Sequence, residues 1–591
     1  MRRVQAGRRD GGRAERAETL AKPPALPPSR LPALFASLSL IVCPALAACH
    51  APLPGGATRN SPLSRMEENY QQVRYWDDQR RLLQSLGASV TPDGVPRAAV
   101  EDSLHATRAA FEAVLNANAG LPVSDADVRA RAAMLQAWHG ELAGAGGAAR
   151  VPDSAPTSCD YDADTLAAGA GGLDRLTARV LECYGRAAAT IVVDGDTLNR
   201  LAILGRLAGT EDPGGRRRLF LALQPVWRSV NRGNGADSPF RVLVRLRRAA
   251  WGDTGSPIER KAPAFGLTTT QLERWLIGAL GDWRDAMPDS LLEPWDWYYH
   301  AGEASRRLGP LVPGIDDIRR VNDRFYHALG ADPESLGIHY DLTTRPGKYP
   351  VAYTDFGSRN RWYRGHMVRG QPWVFTAYLA GGFDNLGELL HESGHAIHIA
   401  AIRTRPAWTD WPDNDTFTEA LADLPALELY EPRWQKRFLG DSVPLAASLR
   451  ARYAGIVFDM AWALFEIQLH RKPGVDPNAL WSDITTEYLG IVPHPEWSWW
   501  AMRGQLIDGP GYLVNYALGA FLTADMRARA SFRQHSFTEA DTTTYGWLSA
   551  ELYHFGRERS SREVLERFLG GPARQDPLLA DLKRMTGGRR R

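Results

Sequence analysis

The chain is short of cysteine, of net charge and of strand patterns. Its 591 residues include four cysteines, and 70 lysines and arginines nearly balance 68 aspartates and glutamates for a net charge of +2. The near-neutral charge, without any basic run interleaved with aromatics, gives no reason to expect a nucleic-acid partner. No internal repeat of fixed period is visible, so a repeat architecture is not expected. At 44% hydrophobic and 23% charged residues, the composition is that of a globular protein.

Long apolar runs are also scarce, and the one that matters is near the N-terminus. Residues 31–49, LPALFASLSLIVCPALAAC, follow an Arg-, Pro- and Gly-rich leader. A basic region, a short apolar core and small residues indicate a signal peptide over residues 1–49. The run is short for a membrane span and Pro44 interrupts it, which disfavours a permanent anchor helix. Leu46 to Cys49 resemble a bacterial lipobox, so we expect an exported, periplasmic protein, lipid-anchored at Cys49; a plainly cleaved signal is the alternative.

The cysteines agree with this expectation. Cys43 would leave with the signal and Cys49 would carry lipid, which leaves Cys159 and Cys183 in the mature protein. In an oxidising compartment two such thiols can pair. The sequence leaves two possibilities open, a Cys159–Cys183 disulfide or two separate buried thiols.

Helical periodicity dominates the rest, so we predict a mainly α protein. Two segments, 67–87 and 100–120, place apolar residues three and four apart. The segment TEDPGGRRRLFLALQPVWRSVN (210–231) predicts one capped amphipathic helix. We divide the mature chain into an N-terminal helical region, 60–284, and a catalytic region, 285–591.

Two segments depart from helix. GKYPVAYTDFG (347–357) and QPWVFTAYLAGG (371–382) are rich in aromatic and β-branched residues, and both contain glycine at or near the end. They predict a short antiparallel ribbon that leads into the next helix. Its edge could bind an extended peptide through the backbone, or the ribbon could be purely structural.

That next helix carries LLHESGHAIH, residues 389–398. Residues four apart in a helix lie one above the other, so His391 and His395 can direct two imidazoles at one ion, and Glu392 flanks the same point. This HExxH arrangement supplies two nitrogen ligands for Zn²⁺ and a carboxylate that can act as general base. Ser393 and Gly394 are small, which favours close approach of a neighbouring helix.

A catalytic zinc usually has three protein ligands. The helix-like run DTFTEALADLPALELY (415–430) offers Glu419, which follows His395 by 24 residues, and Asp423 on the same face one turn later. We predict Glu419 as the third ligand and Asp423 as the acceptor of a ligand histidine's free N–H. His398 and Glu428 compete less well. His398 lies about 10 Å along the axis from His391, and Glu428 would face another way.

HESGHAIH followed by EALAD resembles the gluzincin metallopeptidases, whose pattern is HExxH with a later ExxxD. Within that group the chain is similar to thimet oligopeptidase and oligoendopeptidase F, and to angiotensin-converting enzyme. PWDWYYH (294–300) resembles a WDxxYY stretch of the first two, and the likeness is strongest over residues 285–525. The resemblance implies a large multi-helical peptidase fold with a deep substrate channel.

The resemblance also implies oxyanion-binding tyrosines. GPGYLVNYALG (509–519) is similar to a GYxxxY run, which maps them onto Tyr512 and Tyr516. This chain departs from the thimet pattern at Gly519, where that group has a tyrosine, and at Ile507, where it has a histidine. His494 or Arg503 could substitute.

The expected function is zinc-dependent hydrolysis of short oligopeptides outside the cytoplasm, by a protein expected to be a monomer. The alternatives are peptidyl-dipeptidase or carboxypeptidase specificity, or a non-catalytic peptide-binding lipoprotein with the same fold.

Overall fold

A computed structural model of the chain describes residues 62–118, 125–143, 158–252, 255–345, 348, 351–363, 366–472, 474–534, 536–539 and 541–585. The predicted signal peptide, with Cys43 and Cys49, lies outside the described residues. The boundary proposed between residues 284 and 285 remains a prediction about the sequence.

The described part of the chain is mainly helical, as predicted. The described residues of the periodic segments 67–87 and 100–120 form most of the first two helices. The α-helices are Pro62–Leu86 (α1), Arg97–Ala117 (α2), Asp125–Ala137 (α3), Ala163–Ala167 (α4), Gly172–Ala189 (α5), Arg200–Gly209 (α6), Pro213–Ala222 (α7), Gln224–Asn231 (α8), Pro239–Trp251 (α9), Pro257–Lys261 (α10), Thr269–Ala286 (α11), Pro294–Ala301 (α12), Glu303–Leu308 (α13), Ile315–Ala328 (α14), Phe383–Ala401 (α15), Asp415–Ala426 (α16), Pro432–Phe438 (α17), Leu445–Arg471 (α18), Pro477–Ile484 (α19), Gln505–Asp508 (α20), Tyr512–Gln534 (α21), Thr544–Glu551 (α22), Ser561–Leu569 (α23) and Asp576–Arg584 (α24).

The strands are few and short. They are Ile191–Val193 (β1), Asp196–Leu198 (β2), His339–Thr343 (β3), Tyr353–Asp355 (β4), Arg361–Tyr363 (β5), His366–Val368 (β6) and Trp373–Tyr378 (β7). β1 pairs with β2 and β5 with β6, both antiparallel, while the third sheet has the order β3-β7-β4.

The sheet beside α15 contains the predicted ribbon and one strand more. β4 and β7 are antiparallel, with Tyr353 opposite Phe375 and Asp355 opposite Trp373, so the predicted ribbon is confirmed over a shorter length. β3 was missed. It pairs in parallel with the other edge of β7, His339 opposite Trp373. β7 is therefore the central strand, and β4 forms an edge of the sheet.

The prediction of a single helix over 210–231 is wrong in one respect, because the structure has two helices there, α7 and α8. Asp212 caps α7 by accepting hydrogen bonds from the backbone N–H groups of Gly214 and Gly215. Pro225 lacks a backbone N–H, and its ring interferes with the carbonyl one turn earlier, which disfavours an unbroken helix across this position. The break falls at Leu223.

Four long helices set up the interior around the predicted metal site. α15 packs on α16, α16 packs on α21, and α21 packs on α18. α15 is buried along most of its length after Leu389. Several tryptophans are wholly buried in the same core, among them Trp481, Trp499 and Trp500. The helices therefore hold the HExxH segment inside the protein rather than on its surface.

The two remaining cysteines form a disulfide between Cys159 and Cys183, which decides between the two alternatives. Among the described helices, none is both long enough and apolar enough to cross a membrane.

Candidate metal centre

Close contact between α15 and α16 brings the predicted ligands together. A β-carbon placed on Gly394 would lie 2.5 Å from the carbonyl oxygen of Ala422 and 2.9 Å from its Cα. Only glycine therefore permits this separation of the two backbones. Gly394 therefore allows the close approach of a neighbouring helix, as predicted. That helix is α16, which carries Glu419 and Asp423.

His391, His395 and Glu419 direct their ligand atoms at a common point. The three atoms lie within 4.8 Å of one another. The Nε2 atoms of His391 and His395 are 3.1 Å apart, and Glu419 Oε2 is 3.2 Å from the first and 3.8 Å from the second. The three ligand atoms are close enough together to bind a single cation.

Asp423 contacts the outer nitrogen of His391. Its Oδ1 lies 2.8 Å from His391 Nδ1, so a proton on Nδ1 leaves the Nε2 lone pair free for a ligand. Burial alone would lower the pKa of His391, but the carboxylates of Asp423 and Glu419 raise that pKa well above its usual value. Burial would likewise raise the pKa of Glu419, yet the two histidines hold that pKa well below its usual range. The cluster thus pairs the anionic carboxylate of Glu419 with the basic imidazole of His391.

Glu392 follows His391 on α15 and is buried. Thr354 of β4 donates from Oγ1 to Glu392 Oε2 at 2.7 Å. The edge strand of the sheet therefore holds the carboxylate predicted as general base. Sequence reasoning missed Thr354, because it lies 38 residues upstream and its contact depends on how β4 pairs with the rest of the sheet.

A cavity of about 660 Å³ opens onto these residues. Tyr512 and Tyr516 are among the residues that line it, with ring centroids 5.4 Å apart and nearly perpendicular planes. Burial and the nearby Glu419 carboxylate raise the pKa of Tyr512, and burial with Tyr512 raises that of Tyr516. Both phenols are therefore hydrogen-bond donors at neutral pH. The lining comprises Ala352, Tyr353, Thr354, Glu388, His391, Glu392, His395, Trp411, Asp415, Thr418, Glu419, Ala420, Asp423, Ile456, Asp459, Tyr512, Tyr516, Gly519 and Ala520.

The competing ligands lie elsewhere. His398 is 1% exposed, and its ring packs against Trp411 and Tyr553, with centroids 5.7 and 5.2 Å away. Glu428 accepts hydrogen bonds from Arg527 and Thr538. Neither faces the three ligand atoms.

His494 and Arg503, the two possible substitutes for the missing histidine, both pair with carboxylates. His494 stacks on Trp497 and lies 2.9 Å from Glu293 and 2.8 Å from Glu496, away from the cavity. Arg503 pairs with Asp459, which does line the cavity, and its guanidinium lies 5.9 Å from the ring centroid of Tyr516. Arg503 is thus near the site but bound to a carboxylate.

Other lining residues escaped the sequence analysis. Glu388 precedes His391 by three and Glu392 by four, so helical periodicity alone would have put it on the same face. Trp411 contacts the His395 ring edge-on at 5.6 Å, but it lies between helices, where no periodic pattern marks it.

Comparison with solved structures finds the same fold in carboxypeptidases. The M32 carboxypeptidase from Deinococcus radiodurans R1 matches with a TM-score of 0.53 and 14% identity, over 89% of this chain and 99% of that one. The BsuCP crystal structure matches with a TM-score of 0.51 and 13% identity over the same shares. No protein-family model matches the chain, and no curated protein matches its sequence. At these identities the likeness shows a shared fold. The particular resemblance to thimet oligopeptidase and angiotensin-converting enzyme remains a prediction.

Proposed function

We propose that this chain is a zinc-dependent peptidase that trims short peptides from their carboxyl end. The observation that carries the proposal is the convergence of His391 Nε2, His395 Nε2 and Glu419 Oε2 on one point, in a cavity whose lining also includes Glu392. Carboxyl-end trimming is favoured over internal cleavage because the proteins that share the fold include an M32 carboxypeptidase.

The donor set fits zinc. Two imidazole nitrogens and one carboxylate oxygen form a set found in catalytic zinc sites, which keep one position open. Asp423 holds the His391 proton on Nδ1, which directs the other nitrogen toward the ion. A zinc ion bound here would supply the Lewis acidity that polarises a scissile carbonyl and makes water acidic enough to attack near neutral pH.

The other side chains have roles that follow from their positions. Glu392 is the general base that accepts a proton from the attacking water and then delivers it to the leaving amine. Thr354 keeps the Glu392 carboxylate in place through its hydroxyl. Tyr512 and Tyr516, protonated and in the lining of the same cavity, donate hydrogen bonds to the oxyanion of the tetrahedral intermediate.

We also propose that the enzyme works outside the cytoplasm, anchored by lipid at Cys49. The Cys159–Cys183 disulfide supports export, because disulfides persist in oxidising compartments and are rare in the cytosol. Its substrate there would be a short unfolded peptide that can enter the cavity.

Two variants test the proposal on quenched peptides with bound zinc quantified. Glu392→Gln should retain zinc and lose about 10²- to 10⁴-fold in kcat, because the base is gone and the ligands remain. Glu419→Ala should lose zinc as well as activity.

Full hydrolysis by zinc-loaded Glu392→Gln would refute the base. Unchanged zinc content in Glu419→Ala would refute the ligand. Wild-type protein that binds peptides without any chelator-sensitive cleavage would favour the non-catalytic alternative.

A further inference from the structure

Tyr512, which lines the metal cavity, is the first residue of α21. The segment 506–511 leads directly into it, from the short helix α20 through a turn that ends at Gly511. In that turn the backbone N–H of Tyr512 donates to the carbonyl of Gly509 at 2.8 Å. The place of the Tyr512 phenol in the cavity therefore depends on how the main chain of this segment is held.

Arg247 of α9 holds the first part of the segment. Its guanidinium donates to the main-chain carbonyl of Leu506 at 2.9 Å and to that of Ile507. The side chain is 3% exposed, and among the residues that the structure describes no carboxylate forms an ion pair with it. Burial lowers its pKa from 12.5 to about 10, so the guanidinium remains charged at neutral pH. A buried positive charge thus binds two neighbouring carbonyl groups.

Glu466 of α18 holds the other end of the segment. Its Oε1 accepts the backbone N–H of Gly511 at 3.1 Å, and the side chain is 1% exposed. In the described part of the chain, its Oε2 has no hydrogen-bond partner. The contact that this buried carboxylate makes there is therefore with the residue that immediately precedes Tyr512.

Gly511 is also confined from a third side. Its φ of +84° lies in the left-handed region, and a β-carbon on it would lie 3.0 Å from the Cα of Ile258 in α10. Helix α10 thus limits the position of the Gly511 Cα, while Glu466 binds its N–H. Arg247 binds the carbonyls four and five residues earlier, so three helices together fix the main chain that enters α21.

Stability alone does not explain these two charged side chains. An isolated buried charge costs free energy that an apolar side chain of similar size would not, so Arg247 and Glu466 are a costly means of filling the core. Their hydrogen bonds add direction, because each restricts a main-chain atom in both distance and angle. An oxyanion donor needs such placement, since a shift of about 1 Å can lower the rate about 10²-fold.

We infer that Arg247 and Glu466 are positioning residues, which hold the main chain of residues 506–511 so that the Tyr512 hydroxyl meets the oxyanion. Neither side chain is among the residues that line the metal cavity, so both act through the main chain. The inference rests on the proposed peptidase function and deepens it, because it names Tyr512 as the tyrosine through which the two residues act.

The experiment measures cleavage of a quenched peptide by the zinc-loaded full chain. Glu466→Met removes the acceptor for the Gly511 N–H and keeps the length of the side chain. Its kcat should fall by about 10-fold with KM and zinc content unchanged, because the oxyanion contact is made only in the transition state. Glu466→Gln keeps an oxygen for the Gly511 N–H and should retain most of the wild-type kcat. Arg247→Lys replaces the planar fork with a single ammonium and should lower kcat in the same way.

Combination with Tyr512→Phe separates positioning from general loosening. Without the Tyr512 hydroxyl there is nothing left to position, so Glu466→Met and Arg247→Lys should each change the kcat of Tyr512→Phe by less than about 2-fold. Leu449→Ala is the matched control, because Leu449 is 0% exposed near the other end of α18. It should lower the thermal unfolding temperature and leave kcat at the wild-type value.

An equal loss of kcat in the wild-type and Tyr512→Phe backgrounds would overturn the inference, as would a wild-type kcat in Glu466→Met and Arg247→Lys. A wild-type kcat in Tyr512→Phe would also overturn it. All three results leave a metal-dependent peptidase intact. Absence of chelator-sensitive cleavage by wild type would instead overturn the proposed function, and this inference with it. If one of the two variants does not fold, the other supplies the same comparison.

Discussion

Thr354 Oγ1 lies 2.7 Å from the Oε2 of Glu392 and 2.9 Å from the carbonyl oxygen of the same residue. A threonine hydroxyl has one hydrogen, so it is shared between two acceptors of a single residue. The edge strand β4 thereby fixes both the main chain and the carboxylate of the predicted general base. The position of β4 therefore affects catalysis, since a shift of this strand would move the general base.

We therefore predict that Thr354→Val lowers kcat by about 10-fold while KM changes little, because the hydrogen bond to the carboxylate orients the base and does not contact substrate. Thr354→Ser should recover most of the loss. Steady-state kinetics on a fluorogenic peptide measures both constants.

Thr418→Val is the matched control, because Thr418 lines the same cavity but its hydroxyl donates to the main chain of Asn414. Equal kinetics for Thr354→Val and wild type would show that Glu392 needs no support from β4.

A second prediction concerns the contact between Asp423 and His391. Asp423→Asn should weaken zinc affinity by about 10- to 100-fold, since the amide can offer Nδ1 only a neutral acceptor and no longer raises the basicity of the imidazole. Competition with a chromophoric chelator measures the Kd. The control is Asp415→Asn, because Asp415 lines the same cavity but is not a predicted ligand. This variant should bind zinc as wild type does. A Kd for Asp423→Asn equal to that of Asp415→Asn would remove the role given to Asp423.

The outcome for particular residues shows what the sequence could and could not predict. His391, Glu392 and His395 lie within one helix turn of each other, so local periodicity was sufficient to bring them together, and the ExxxD spacing put Glu419 and Asp423 on one face. Thr354 and the parallel strand β3 escaped, because pairing between strands depends on contacts far apart in the chain that no local pattern records. His398 shows the opposite case, because it belongs to the metal motif in sequence but packs its ring against Trp411 and Tyr553.

The packing of α15 against α16 gives a third prediction. Gly394→Ala should lower the free energy of unfolding by about 1–3 kcal/mol, because its methyl group would overlap the backbone of Ala422 and force the helices apart. Glu419 moves with α16, so zinc affinity should fall as well.

Gly387→Ala on the same helix is the control. Its nearest neighbour would be a terminal methyl of Leu429 at 3.2 Å, which can move aside. Thermal unfolding with and without zinc separates the two effects. Equal behaviour of the two alanine variants would contradict the argument from close helix contact.

A buried carboxylate away from the metal gives a prediction about pH. Glu466 of α18 is 1% exposed; its Oε1 accepts the backbone N–H of Gly511 at 3.1 Å, and its Oε2 has no partner among the described residues. Burial raises its pKa from 4.5 to about 7, although the Gly511 N–H and the charge of Arg247 oppose this. Between these two pH values the native state holds a proton on Glu466 that the unfolded chain has lost.

The native state therefore binds more protons than the unfolded state in this window, and stability falls as pH rises from 4.5 to about 7, then levels off. Glu466→Gln keeps the shape of the protonated acid and cannot ionise. The unfolding free energy of Glu466→Gln minus that of wild type should therefore be larger at pH 8 than at pH 4.5, by on the order of 2–3 kcal/mol. Denaturant unfolding of both proteins at the two pH values measures this difference of differences. Titration of other groups, including the nearby His470, is common to both proteins and cancels. A gain independent of pH would mean that Glu466 is already ionised in the native state throughout the range.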